Sequence, residues 1–202
     1  MLFRSVDGAK RMQVLINDLL TFSRVGRLNV THDAVDLDAT LETALGNLAA
    51  AIEESKAQIV RRHSPLPQIT GDATLVTMLW QNLIGNAVKF RSEDRVPHVV
   101  IDCERGTGDH DDQWMFSVTD NGIGIAPEFA EKVFVIFQRL HGRDAYTGTG
   151  IGLAICKKIV ELHGGTIGID TDNSSGSRFW FTLPIAADSD QTPVGATEGA
   201  HR

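Results

Sequence analysis

Gly148-Thr149-Gly150-Ile151-Gly152 runs straight into the apolar Leu153-Ala154-Ile155. Three alternating glycines disfavour both helix and strand interiors. Yet the residues that follow carry helical spacing to about His163. The chain must therefore pass from a loop with little side-chain cover directly into a helix. The free amides and the positive end of that helix then face whatever lies beside the loop, which suits an anion. The glycine spacing is not that of the dinucleotide fingerprint, and no Gly-Lys-Ser/Thr of a Walker loop is present.

Two other segments carry polar groups in a chemical pattern. In Gln81-Asn82-Leu83-Ile84-Gly85-Asn86-Ala87-Val88-Lys89-Phe90, the residues Asn82, Asn86 and Lys89 fall at i, i+4 and i+7, one face of a predicted helix. Amide oxygens beside a lysine suit a magnesium–phosphate group, with a hard oxygen for the metal and a point charge for phosphate. A solvated polar stripe is the alternative reading of the same residues. Asp120-Asn121-Gly122-Ile123-Gly124-Ile125 follows a predicted strand directly. An aspartate there can accept from an exocyclic amine, and two glycines let backbone pass close to a flat ring. A capped bend explains the same residues without a ligand.

The remaining pattern places these segments. Met12, Leu15, Ile16, Leu19 and Phe22, with Val14 and Leu20, predict an amphipathic helix over residues 5–24 whose wide stripe asks for bundle packing across a dimer; a helix lying on its own domain is the alternative. The chain is expected to divide into that helix (1–25), a linker (26–36), an α/β domain (37–185) and a disordered tail (186–202). Within the domain, a helix is expected from Leu37 to Ser55, capped by Asp36 or Asp38, then a short strand at Ile59-Val60 and a loop at Pro65 and Pro67. A helix capped by Asp72 runs to Lys89. His98–Glu104 and Trp114–Asp120 predict a hairpin, and Thr166–Asp170 and Arg178–Leu183 predict two closing strands joined by the turn 172–176. The fold class is α/β: a two-layer sandwich of a mixed β-sheet with helices on one face, preceded by one long helix.

Composition excludes several function classes. A formal charge of −7 argues against nucleic acid as the main partner, because phosphate neutralisation needs clustered Lys and Arg. No stretch reaches the roughly 18 apolar residues of a membrane helix. The two cysteines, Cys103 and Cys156, have no metal-ligand spacing and are read as reduced thiols of a cytoplasmic protein.

In their order along the chain, the amide-rich helix, the Asp-x-Gly-x-Gly turn and the Gly-x-Gly-x-Gly loop resemble the N, G1 and G2 boxes of the histidine-kinase catalytic and ATP-binding domain. The wider group includes type II topoisomerase, mismatch-repair and heat-shock-90 ATPases. Phe134-Val135-Ile136-Phe137-Gln138-Arg139-Leu140 is similar to the F box of the lid in those kinases, and Gly176–Pro184 to their closing strand. The run from Phe137 to Gly165 resembles phytochrome-type and related sensor kinases. The resemblance covers about residues 5–185 and implies a Bergerat-type fold.

It also implies roles. Asn86 would chelate Mg²⁺, with Asn82 and Lys89 near the phosphates of ATP, and Phe90 would border the adenine. Asp120 would take the adenine amino group, with Ser177 assisting through a water. Gly122 and Gly124 would make room for the base. The amides around Gly148, Thr149, Gly150, Gly152 and Leu153 would cradle phosphate. Residues 127–147 would form a mobile lid from which Arg139, His141 and Arg143 reach phosphate oxygens.

The phosphoacceptor of this family lies in a His-Glu/Asp pattern on the first helix of the phosphotransfer hairpin, and residues 11–24 match only the second. Of the seven histidines, two precede an acidic residue: His32 sits in the expected linker, and His110 in the polar turn between two expected strands, neither on an apolar helix. The expected function is therefore binding of Mg-ATP and transfer of its γ-phosphate to a histidine carried by a phosphotransfer helix, in cis of a longer chain or in trans. The expected partners are a response regulator receiver domain and a second copy of the chain. A non-catalytic nucleotide-binding module that regulates kinase dimers or response regulators is the alternative. A serine kinase of the anti-sigma type is disfavoured by the helix at 5–24.

Overall fold

Asp72 stops one strand and starts the helix that organises the domain. In the computed structural model, which describes residues 2–25, 33–138, 148–171 and 176–186, its Oδ1 accepts from the amides of Thr74 (2.8 Å) and Leu75 (3.1 Å). These bonds satisfy orphan donors of helix α4 (Ala73–Lys89). Leu75, Leu79, Trp80, Leu83, Ile84 and Ala87 recur every three or four residues and are buried. Asn82, Asn86 and Lys89 are left on a different face.

The buried stripe of α4 packs on a five-stranded sheet of β2 (Gln58–Arg61), β4 (His98–Arg105), β5 (Gln113–Asp120), β6 (Ile167–Asp170) and β7 (Arg178–Pro184). The spatial order is β2-β4-β5-β7-β6; β2 runs parallel to β4 and the other pairs are antiparallel. Register sets Ile101 opposite Val118 and Phe116 opposite Phe181, so alternate residues build one apolar face. Trp80 closes this core edge-on to Phe116 (5.9 Å between ring centres) and Phe181 (5.1 Å). Helix α5 (Gly152–Leu162) lies beside α4 and buries Ile155, Cys156, Ile159 and Val160. The result is the mixed, two-layer α/β sandwich expected from the sequence.

Three expectations change. Asp33–Asp36, expected in the linker, forms strand β1 and pairs antiparallel with β3 (Gln68–Gly71), a strand not expected between the loop at Pro65 and Pro67 and the cap Asp72. Val35 and Ile69 from this pair enter the core. The helix expected over 37–55 is two helices, α2 (Leu37–Asn47) and α3 (Ala49–Ser55), broken at Leu48. There the Leu48 amide bonds back to both Ala44 and Leu45 carbonyls, two residues after Gly46, a weak helix former. Asp36 is the cap, accepting from the Ala39 amide at 3.1 Å. Asp38 instead accepts from the Leu66 amide at 2.8 Å.

Helix α1 (Leu2–Val25) carries two apolar faces. Leu15, Phe22 and Val25 pack on this chain's own core, so one flank needs no second copy. Met12, Val14, Ile16, Leu19 and Leu20 remain exposed. The lid residues Arg139, His141 and Arg143, the turn residues 172–175, His32 and the tail beyond 186 lie outside the described residues.

Candidate functional site

The N-box face of α4, the end of β5 and the start of α5 converge on one cavity of about 250 Å³. Its lining includes Asn82, Asn86, Lys89, Phe90, Asp120, Gly124, Gly148, Thr149, Gly150, Gly152, Leu153 and Ser177, all singled out from the sequence. Gly122, also singled out, is buried and is not part of this lining.

At one end the walls are apolar: Phe90, Ile123, Ile125, Val133, Leu153 and Phe179. Asp120 stands among them, 9% exposed. Its Oδ1 accepts from the amides of Gly122 (2.8 Å) and Ser177 (3.1 Å). Burial pushes its carboxyl above the usual range, against the lowering effect of those two amides. Both described bonds fall on Oδ1, which leaves Oδ2 as the oxygen to meet a ligand. Ser177 thus acts on Asp120 through its backbone amide.

Crossing backbones require glycine at these positions. A Cβ on Gly122 would sit 2.3 Å from the Phe90 carbonyl oxygen, which accepts from the Ile123 amide at 3.0 Å. Gly124, at φ +76°, rests against Gly176; a Cβ on Gly176, at φ +109°, would sit 1.9 Å from the Asp120 carbonyl oxygen.

The other end is polar. Asn82 donates from Nδ2 to the Met78 carbonyl at 2.9 Å, and its Oδ1 faces the first residue of α5: a Cβ on Gly152 would lie 2.7 Å away. The Lys89 ammonium lies 4.5 Å from the centre of the Phe90 ring and reaches the glycine loop, where a Cβ on Gly148 would come within 2.6 Å. Helix α5 begins at Ile151–Gly152 with no side-chain cap, so its first amides stay available to the cavity. The Phe137 amide donates to the Gly150 carbonyl at 2.9 Å, which ties the loop to the F-box segment.

Sequence reasoning missed Asp18, Ile123, Ile125, Val133, Gln138 and Phe179 in the lining. Ile123 and Ile125 were legible as the residues between and after the glycines of the G1 turn. Asp18 had no such signal; it comes from α1, where the Thr149 hydroxyl donates to its Oδ2 at 2.5 Å.

An apolar slot ending in a buried acceptor, continuous with a mouth of amides, amide side chains and a lysine, defines a nucleotide-binding α/β domain. The family described as "Histidine kinase-, DNA gyrase B-, and HSP90-like ATPase" matches residues 71–187, and the chain belongs to it. It is similar to cyanobacterial phytochrome A of Nostoc sp., 47% identical over 181 residues, and to phytochrome-like protein Cph1 of Synechocystis sp., 44% identical over 181 residues. Each match covers 90% of this chain and 23% of the relative, so the chain spans about a quarter of their length. Sensor histidine kinase AruS of Pseudomonas aeruginosa is 35% identical over 92% of this chain and 19% of that protein. Among solved structures, full-length ShkA in complex with AMPPNP superposes with a TM-score of 0.73 at 28% identity, over 91% of this chain and 38% of ShkA. The catalytic domain of histidine kinase ThkA shares the fold, with a TM-score of 0.64 at 24% identity over 79% of this chain and 97% of that domain. The kinship is with the catalytic domains of histidine kinases.

Proposed function

We propose that this chain binds Mg-ATP and is the catalytic part of a two-component sensor histidine kinase, passing γ-phosphate to a histidine on a phosphotransfer helix. The observation that carries the reading is the single cavity onto which Asp120, Asn86, Lys89 and the start of α5 converge. ATP fits its two ends. The adenine amino group would donate to Asp120 Oδ2 inside the apolar slot, with the triphosphate at the Gly148–Gly152 amides and Lys89.

The donor set also fits Mg²⁺. Among the described residues no three His, Cys, Asp or Glu side chains cluster as a metal cage. Asn86 in the cavity wall offers one hard oxygen, which suits an ion held mostly by phosphate and water. Bound ATP would supply the phosphoryl group, and the ion, held by Asn86, would offset the negative charge of its phosphates. The chain's own work is to hold: Asp120 orients the base, Lys89 and the α5 amides balance phosphate charge, and the apolar walls exclude water.

The acceptor histidine comes from a phosphotransfer hairpin, whose second helix matches α1, in cis of a longer chain or in trans. The exposed Met12, Ile16 and Leu19 supply the apolar face for a second copy of this chain. A response regulator receiver domain is the downstream partner. No described helix is long and apolar enough to cross a membrane, and both cysteines are free and buried, in keeping with work in the cytoplasm.

The test is incubation with γ-labelled Mg-ATP, with and without a separate hairpin bearing the acceptor histidine. Acid-labile label on the hairpin and none on the chain is expected. A hairpin left unlabelled by a chain that binds ATP would instead support the non-catalytic regulatory module.

A further inference from the structure

Helix α1 reaches the cavity at one residue. Its docking face is Leu15, Phe22 and Val25, all packed on the domain core, with the Phe22 ring centre 4.3 Å from the Lys158 ammonium of α5. Asp18 lies on the same face, three residues after Leu15 and four before Phe22. The apolar neighbours account for docking. Asp18 adds a half-buried carboxylate that lines the cavity beside Asn82, Gly148 and Gly152 and accepts from the Thr149 hydroxyl at 2.5 Å.

Its charge is what matters there. Helix α5 has no acidic residue in its own first turn and no side-chain cap. An anion from α1 instead reaches the loop that opens this 11-residue helix, through its bond to Thr149. A nucleotide phosphate seeks the same loop for the same reason, and two anions at one helix end repel each other.

We propose that Asp18 is the residue through which helix α1 sets nucleotide affinity: its carboxylate and a nucleotide phosphate compete for Thr149 and the amides that open α5. Nucleotide then loosens α1 from the domain, and a docked α1 weakens nucleotide. The coupling is reciprocal, because it is one free energy seen from two sites. Any rearrangement of α1 against the domain is read at the phosphate end of the site. This rests on the nucleotide reading of the cavity.

The experiment uses the 202-residue chain and Mg-AMP-PNP as probe. Nucleotide affinity is measured by calorimetry, and hydrogen exchange is followed over residues 12–25. Asp18→Asn keeps the shape and removes the charge. It is expected to tighten binding roughly three- to tenfold, the range of a charge at a helix terminus. In the parent chain, nucleotide should speed exchange in α1; in Asp18→Asn that response should shrink. Thr149→Val, which removes the hydroxyl from the other side, should likewise loosen α1 before nucleotide is added. Weaker binding by Asp18→Asn would make Asp18 a ligand of the nucleotide's cation and overturn the proposal. So would unchanged affinity, or α1 exchange that ignores nucleotide. A parent chain that binds no AMP-PNP overturns the site reading itself, and the proposal with it.

Discussion

Asp120→Asn and Asp120→Ala separate the two jobs of this carboxyl. Its Oδ1 holds the Gly122 and Ser177 amides inside the fold, which leaves Oδ2 as the oxygen proposed to accept from an adenine amino group. In Asp120→Asn the amide oxygen can keep the two internal bonds, so its NH₂ must point into the cavity and oppose the amino group. Losing a charge-assisted bond costs about 1.5–3 kcal/mol, and meeting donor with donor puts the loss at the upper end, roughly 100-fold in ATP affinity. The same NH₂ can donate to a 6-oxo purine, so the variant should favour ITP over ATP. Its melting temperature should barely move, since burial of a charge is relieved as the charged bonds are lost. Asp120→Ala orphans two buried amides at about 1–3 kcal/mol each and should lower the melting temperature by roughly 5–10 °C as well as abolish binding. Calorimetry with ATP and ITP, beside thermal denaturation, reads both effects. Asp120→Asn with parental ATP affinity would refute the placement of the base.

Acid provides an independent check on the same group. Because burial raises the Asp120 pKa and both amides occupy Oδ1, the proton adds to Oδ2, the ligand-facing oxygen. ATP affinity should therefore fall on acidification above the ordinary carboxylate range, and the fall should vanish in Asp120→Asn. Stability runs the other way for this group: a raised folded pKa favours the protonated fold, so its contribution is largest in acid and declines as pH rises through that pKa. Asn86→Ala should weaken Mg-ATP at least tenfold yet leave binding in EDTA nearly unchanged, as calorimetry in both buffers will show. His163 donates from Nδ1 to the Ile159 carbonyl (2.8 Å) and accepts at Nε2 from the Asp72 amide (3.0 Å), pinning the end of α5 to the start of α4. His163→Ala should cost about 2–4 kcal/mol in denaturant unfolding, through an orphaned amide and a cavity against Gly71.

How much of this was legible depends on how local the cause is. The cap of α4 was legible because Asp72 acts two and three residues away and the apolar repeat that follows is long. The sheet was legible wherever a strand held eight residues, as in β4 and β5. The equally short β2 and β6 were read from Ile59-Val60 and from the run Thr166–Asp170. Strands β1 and β3 were not: β1 buries only Val35 between two aspartates, β3 follows directly on Pro67, and they pair with each other across about 35 positions. The break at Leu48 was hidden because apolar residues continue through it, and only the backbone at Leu48, at φ −98° and ψ 0°, distinguishes two helices from one.

The site divides along the same line. The three motifs could be read as spacings, and those spacings bring one set of residues to one cavity. Their reasons could not, because a glycine is required by what lies across from it. Gly122 answers to the Phe90 carbonyl, and Gly176 to the Asp120 carbonyl 56 residues earlier. Asp18 shows the converse. In a helix read for its apolar stripe it registers only as a polar interruption, and its meaning lies with Thr149, 131 residues on. A motif thus marks where a ligand is met, while the residue through which the rest of the chain would act on that ligand sits outside every motif.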